Sequence, residues 1–283
     1  MSVPIPDAVS ATPKIIDNSN PPQFLIDALK HHGSPPPETR PHVTLTFAQS
    51  LDAKIAGARG RQLILSGTES MRMTHWMRTL HDAILVGVRT AINDDPQLNV
   101  RHLPPPPPNA PPHALPRPII VDTHLRLPLT CKLLRNFQAH TGRRPWVLCI
   151  PHSTSDIAFA DRRRALEAAG ARVVDVKDPR TSDAEGMARV SAAALLQTLR
   201  ELGVKSLMVE GGARIIGSFL AERDVVDALI ITVAPVLVGE AGVGYDYPTT
   251  AAGDGALVPR FRAVHTEIVG NDAVVVLLPP AEP

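Results

Sequence analysis

The stretch Leu207-Met208-Val209-Glu210-Gly211-Gly212-Ala213-Arg214-Ile215-Ile216 reads as a buried strand that ends in an acid and two glycines and then opens a helix. An apolar run without strict alternation fits a strand covered on both faces. Beyond it, Ile215, Ile216, Phe219 and Leu220 fall at i, i+1, i+4 and i+5, one apolar stripe for a helix lying on the sheet. Residues without Cβ let a ligand approach the backbone, and the N–H groups of a helix's first turn favour a phosphate. Glu210 would stand at the carboxyl end of a central strand, where open α/β sheets bind ligands. The same residues also suit a tight turn with an acidic helix cap. The chain carries neither G-x-G-x-x-G nor G-x-x-x-x-G-K-[ST], so neither standard nucleotide motif applies.

Outward from this unit, short Val- and Ile-rich runs alternate with helical patterns. Strands are expected at His42–Ala48, Ala83–Val88, Pro118–Asp122, Trp146–Ile150, Arg172–Val176, Ser206–Glu210, Ala228–Ala234 and Ala273–Leu278. Helices are expected at Thr68–His81, Asp156–Ala169, Met187–Leu202 and Ala213–Glu222. This rhythm predicts an α/β domain with a mostly parallel central sheet and helices on its faces. No convincing helix separates the last two strands, so they are expected to pair antiparallel as a C-terminal hairpin at the sheet edge.

Composition narrows the function classes. A chain of 283 residues with 44% hydrophobic content can build a sizeable core. Its formal charge of +1 advertises no nucleic-acid face, which leaves a small molecule as the expected partner. Cys131 and Cys149 make neither a disulfide framework nor a zinc cluster, and the eleven histidines show no metal-ligand spacing, so no metal is expected. There is no apolar run long enough for a membrane span and no signal-peptide pattern at the start, which implies a soluble, cytoplasmic protein. The 29 prolines are concentrated in a few stretches. Residues 1–40 are read as a Pro-rich extension, packed on the domain or mobile, with His31-His32 facing solvent. Residues 41–283 form the domain, and the Pro-rich stretch 103–118 is a surface loop insertion.

Further constellations carry chemistry. After the strand at Ala83, Thr90, Asp94, Asp95 and Arg101 bring a hydroxyl, two acids and a guanidinium within a dozen residues. Arg101 suits a bidentate phosphate clamp, while Thr90 and Asp94 suit a cofactor; the plain alternative is an Asp-Asp-Pro turn. Thr44 to Ala56 reads as a strand, a turn at Ser50–Asp52 and a second short strand. Ser66 or Thr68 either caps the helix that carries Arg78 or meets a ligand. His75 and His81 on that helix read as surface or capping groups. Gly239 to Tyr245 is either a ligand-facing loop or a connection.

Taken in order, Leu45-Thr-Phe-Ala-Gln-Ser-Leu-Asp52, Leu65-Ser66, Arg78-Thr-Leu-His-Asp-Ala-Ile-Leu-Val-Gly87, Thr90-Ala-Ile-Asn-Asp-Asp-Pro-Gln-Leu-Asn-Val-Arg101, Val121-Asp-Thr123 and Val209-Glu-Gly-Gly212 resemble the reductases of riboflavin biosynthesis. The likeness spans about residues 42–278 and keeps the motif order. It implies a dihydrofolate-reductase-like fold, a homodimer, and NADPH-dependent reduction of the ribosyl side chain of a pyrimidine nucleotide to ribityl. It further implies that Thr90 and Asp94 contact NADPH, with Thr123 nearby, that Gly211, Gly212, Ala213, Arg214, Ile215 and Ile216 hold its phosphates, and that Val190 touches it. Substrate would meet Ser66, Arg78, Leu98, Arg101 and Glu210. Asp94, Glu210 or a water would pass the catalytic proton.

Two departures from the family pattern matter. The P-C-x-x-C motif that, together with H-x-E, marks the zinc deaminase that usually accompanies bacterial members is missing. Thr46 replaces a lysine common in bacterial domains, so the chain looks like the fungal and archaeal branch, in which the substrate, 2,5-diamino-6-ribosylamino-4(3H)-pyrimidinone 5′-phosphate, still bears its 2-amino group. Ala53 stands where the family usually has Gly, which weighs against a positive φ there. Two other readings are a dihydrofolate-reductase-like enzyme with a different pterin or pyrimidine substrate, and a non-catalytic nucleotide-binding scaffold that uses its Pro-rich loop.

Overall fold

The structure is a computed structural model that describes residues 19–153, 156–177, 190–222, 224–245 and 261–280. Seven parallel strands form the body of one sheet: β1 (His42–Gln49), β2 (Ala83–Gly87), β3 (Arg117–Val121), β4 (Trp146–Cys149), β5 (Arg172–Asp175), β6 (Ser206–Gly211) and β7 (Ala228–Val233). Antiparallel β8 (Arg262–Val269) and β9 (Asp272–Leu278) complete it in the order β5-β4-β3-β2-β6-β1-β7-β9-β8. The antiparallel ending is as expected, with β9 against β7. The edge is β8, which sequence reading missed because its residues are mostly exposed and give no apolar run.

Alternate side chains enter two cores, which is why the strands read as continuous apolar runs. Ile84, Val86, Met208 and Ile230 face one side, covered by α1 (Gln23–Ala28), α2 (Thr68–Thr79), α3 (Val88–Asp94), α4 (Lys132–Gln138) and α5 (Ile157–Ala168). Val43, Leu45, Leu85, Leu207 and Val209 face the other, covered by α6 (Ala192–Glu201) and α7 (Ala213–Ala221). Ile216 and Phe219 of the α7 stripe are each 1% exposed. The expected helix Met187–Leu202 is seen as α6; residues 187–189 lie outside the described residues. Among the described residues no helix is long and apolar enough to cross a membrane.

Phe24, Leu25, Ala28 and Leu29 are buried in the first core, and α1 leads into a 3-10 turn, Lys30–Gly33. His31 and His32 on that turn are half-buried, against the solvent-facing expectation, because His31 packs edge-on against His42, and His32 stacks on His42 and meets His81 edge-on. The Pro-rich stretch joins α3 to β3. His113 Nε2 lies 2.8 Å from the Pro104 carbonyl, and its ring packs on Trp76 of α2. Cys131 and Cys149 are buried free thiols.

Ala53 adopts φ +55° despite its Cβ, in the left-handed region that the sequence reading weighed against. The turn that forces it is held by Ser50 Oγ, which donates to Asp52 Oδ1 at 2.5 Å and accepts from Lys54 N at 2.9 Å. Beyond it, the expected second strand is a single bridge, Ala56 to Val243. Asp52 also accepts from Val238 N and Gly239 N, and the Ser50 hydroxyl foremost, with these two N–H groups, holds its carboxyl down at about 2.

Candidate active site

A cavity of about 440 Å³ opens at the carboxyl ends of β2, β6, β1 and β7, the place where a parallel sheet presents unpaired backbone to a ligand. Thr46, Phe47 and Ala48 of β1, Val86 of β2, Glu210 of β6 and Thr232 of β7 line its floor. Phe47 is backed by the ring of Tyr245, 4.8 Å away, whose hydroxyl donates to Gln49 Oε1 at 3.0 Å. The Gly239–Tyr245 stretch thus buttresses a cavity wall.

One wall is α2. Met71, Thr74, His75 and Arg78, at i, i+3, i+4 and i+7, all line the cavity. Arg78 donates from Nε and Nη2 to the two oxygens of Glu210, each at 2.8 Å, and from Nη1 to the Asn99 carbonyl at 2.9 Å. The side chains are 11% and 17% exposed, so this is a largely desolvated, bidentate pair. Sequence reading gave Arg78 and Glu210 to substrate as separate contacts; the fold makes each the other's partner. His75 is 2% exposed and accepts the Arg101 backbone N–H at Nδ1, 3.0 Å away. Burial, reinforced by Arg78 and Arg101, pushes its imidazole down to about 3, so it stays a neutral acceptor. Sequence reading missed this role, although the spacing of His75 and Arg78 on one helix face signals it.

The opposite wall is α3 and the turn after it. Val88 already belongs to the helix, which begins at the end of β2 without a loop. Thr90 and Asp94, one helical turn apart, both line the cavity. Burial raises the Asp94 carboxyl above the usual carboxylate range. Asp95 also lines the cavity and ties it to α4, accepting from Lys132 N at 2.8 Å. Pro96 cannot continue a helix, and Asp95 (φ +39°) and Leu98 (φ +46°) take left-handed backbone. Non-glycine residues in that region cost of order 1–3 kcal/mol each and cluster where a site must hold an awkward geometry. The bend buries Leu98 against the cavity and leaves Arg101 at its rim. Among the described residues Arg101 makes no ion pair within 4.0 Å.

Ser66 lines the cavity without capping α2: the N-cap residue is Gly67, whose N–H donates to Asp272 Oδ2 at 2.8 Å. Gln62 and Lys132 are further lining residues that sequence reading did not single out. Both come from segments whose sequence gives no periodic signal.

The glycine turn meets α3 directly. Gly211 (φ +97°) and Gly212 (φ +83°) swing the chain from β6 into α7, and a Cβ on Gly212 would sit 2.6 Å from Thr90 Oγ1. A Cβ on Gly87 would meet Ile215 at 3.0 Å. The first turn of α7 has no side-chain cap, so its N–H groups stay available to an anion. This cradle is what a phosphate-bearing cofactor requires. Thr123 lies two residues beyond β3, at the same sheet edge one strand from β2. Val190 packs on the core under α6 and α7 and does not line the cavity. The structure thus gathers Ser66, Arg78, Thr90, Asp94, Leu98, Arg101 and Glu210 around one space, with Gly212 against Thr90.

Residues 41–275 match the family described as the RibD C-terminal domain. A curated relative from Debaryomyces hansenii, 2,5-diamino-6-ribosylamino-4(3H)-pyrimidinone 5′-phosphate reductase, is 37% identical over 74% of this chain and 80% of its own length. The protein of that name from Saccharomyces cerevisiae is 34% identical over 81% and 86%. Among solved structures, the Saccharomyces riboflavin biosynthesis reductase Rib7 aligns at a TM-score of 0.66 with 26% identity, covering 90% of this chain and 97% of that one. Acinetobacter baumannii RibD aligns at 0.66 with 26% identity over 89% of this chain, which spans 60% of RibD.

Proposed function

The chain belongs to the RibD C-terminal domain family, and from that membership we propose that it reduces 2,5-diamino-6-ribosylamino-4(3H)-pyrimidinone 5′-phosphate to the ribitylamino product, with NADPH as hydride donor, in riboflavin biosynthesis. The observation that carries the reading is the meeting of Thr90 with the Gly212 turn on the rim of a cavity braced by Arg78 and Glu210. A cofactor phosphate fits at the uncapped start of α7, and a phosphorylated sugar fits beside it.

Thr90, Asp94, Thr123, Val190 and the stretch Gly211 to Ile216 are assigned to the cofactor. Ser66, Arg78, Leu98, Arg101 and Glu210 are assigned to substrate, with Arg101 on the 5′-phosphate because Arg78 is committed to Glu210. Opening the ribosylamine to its C=N form leaves two additions, a hydride at C1′, which NADPH supplies when bound, and a proton at nitrogen. Asp94 is the favoured proton carrier over Glu210. Burial raises the Asp94 carboxyl, whereas both Glu210 oxygens already accept from a guanidinium that has no acceptor atom. Phe47, Val86 and Leu98 keep water from the reacting atoms. Uncharged Thr46 on the floor suits a substrate that retains its 2-amino group. A homodimer and a cytoplasmic setting complete the reading and rest on the family likeness alone.

The test is NADPH oxidation, followed by its near-ultraviolet absorbance, with the diamino ribosylamino phosphate and identification of the ribityl product. Turnover of dihydrofolate instead would replace the substrate assignment, and NADPH binding without oxidation of any riboflavin intermediate would defeat the enzymatic one. In this reading residues 1–40 are an extension and 103–118 an insertion, so deleting residues 104–112 leaves turnover intact.

A further inference from the structure

At the amino ends of the parallel strands, the edge opposite the cavity, three residues from separate segments converge. His31 lies on the 3-10 turn after α1, His42 opens β1, and Asp227 precedes β7. One ligand atom from each lies within 4.8 Å of the other two. We infer that His31, His42 and Asp227 form a binding site for a zinc-type divalent cation that fastens the N-terminal arm to the sheet.

The hydrogen bonds around the three residues favour ligation. His31 Nε2 is buried with no hydrogen-bond partner, while the backbone of Ala28 bonds the same ring. His42 Nε2 lies 3.2 Å from the Ser34 carbonyl, which can only accept, so the hydrogen sits on Nε2 and the lone pair on Nδ1. Metal-binding histidines are oriented in this way, one nitrogen donating to a backbone carbonyl and the other left for the ion. A buried nitrogen without a partner is costly, and an ion at this place removes the cost. Asp227 is fixed by the Val43 N–H at 2.7 Å and by Arg40 through both oxygens. Arg40 opposes a cation, but Oδ1 accepts only one of these bonds and keeps a lone pair for the ion.

Two imidazoles and a carboxylate are borderline ligands suited to zinc, with the fourth tetrahedral position left to water. The second candidate for that position is His32, whose Nε2 is also buried and unpartnered and whose ring centroid lies 4.6 Å from that of His31. Zinc bonds of ~2.1 Å place ligand atoms roughly 3.4 Å apart, so the arm must close by up to about 1.4 Å. That shift falls on the short 3-10 turn that carries His31.

The test uses the full chain after treatment with a chelator. Co²⁺ is titrated by its visible absorption and Zn²⁺ by calorimetry, on the wild type and on His31→Gln and His31→Asn, each first checked for native circular dichroism. The expected result is one equivalent of ion with tetrahedral cobalt bands, at least tenfold weaker binding in both variants, and slower tryptic cleavage after Lys30 when Zn²⁺ is present. Failure of the wild type to bind one equivalent overturns the site. So does equal binding by the variants, or unchanged cleavage at Lys30, because each sends the ion elsewhere.

Discussion

Arg78 and Glu210, 132 residues apart in sequence, close a two-bond fork at 2.8 Å on each arm, and the third nitrogen of the same guanidinium holds the Asn99 carbonyl. One side chain thereby ties α2, the end of β6 and the segment that carries Arg101. Its planar geometry, more than its charge, sets the spacing between the glycine turn and the Arg101 rim.

Arg78→Lys preserves the charge and loses the fork. Hydrogen bonds between charged groups contribute roughly 1.5–3 kcal/mol, so kcat/KM is expected to fall about 10- to 150-fold. Glu210→Gln breaks the same pair from the other side, and the double variant should cost little more than either single one. Additive losses in steady-state kinetics would show that the two residues act separately.

Gly212→Ala adds a Cβ where φ is +83° and where Thr90 Oγ1 lies 2.6 Å away. The strain is of order 1–3 kcal/mol, and relief by movement displaces Thr90 or the first turn of α7. NADPH affinity, measured by fluorescence quenching, is expected to drop at least tenfold with the substrate KM nearly unchanged. An unaltered cofactor affinity would remove the glycine turn from the cofactor site.

His75 is a positioning residue, acting on substrate through Arg101. His75→Leu leaves the Arg101 N–H without its acceptor, at a cost of about 1–3 kcal/mol, whereas His75→Asn places an oxygen near the Nδ1 position. The expected outcome is a raised KM in the Leu variant and recovery in the Asn variant. Because burial holds this imidazole neutral down to about 3, the shape of the pH–rate profile above pH 5 should survive in both. Loss of a limb of that profile would make His75 an acid or base instead.

The parts of this site legible in sequence are those with a local signature. Gly211-Gly212 after an apolar run announces a strand, a turn and a helix, and Asp94-Asp95-Pro96 announces a turn. Sequence does not say what the two aspartates do; both line the cavity, but Asp94 ends α3 one turn from Thr90, whereas Asp95 also accepts from the start of α4. The helix α3 itself escaped because its seven residues bury only Val88 and Ala91, too few for periodicity to register. The helix α4 is equally short, with Leu133 and Leu134 as its buried residues. The pairing of Arg78 with Glu210 was invisible for another reason: each looked like a ligand contact, and only the register of β2 against β6 brings them together.

The last expectation concerns acid stability and His81. Its ring is 4% exposed, with Nδ1 donating to the Met77 carbonyl at 2.8 Å and Nε2 accepting from Thr44 Oγ1 at 2.9 Å. The acceptor role of Nε2 requires the neutral ring, and burial pushes its pKa from 6.5 down to about 3. The folded state therefore binds fewer protons than the unfolded chain between those values. This contribution is whole above about pH 6.5 and shrinks as pH falls toward about 3. Within the window a single such group changes stability by up to about 1.4 kcal/mol per pH unit. His81→Gln can keep both hydrogen bonds without titrating, so urea melts of the variant at pH 7 and pH 5 should differ less than those of the wild type. Equal losses in the two proteins would mean that His81 takes up its proton in the folded state without penalty, and the acid sensitivity would then belong to other groups.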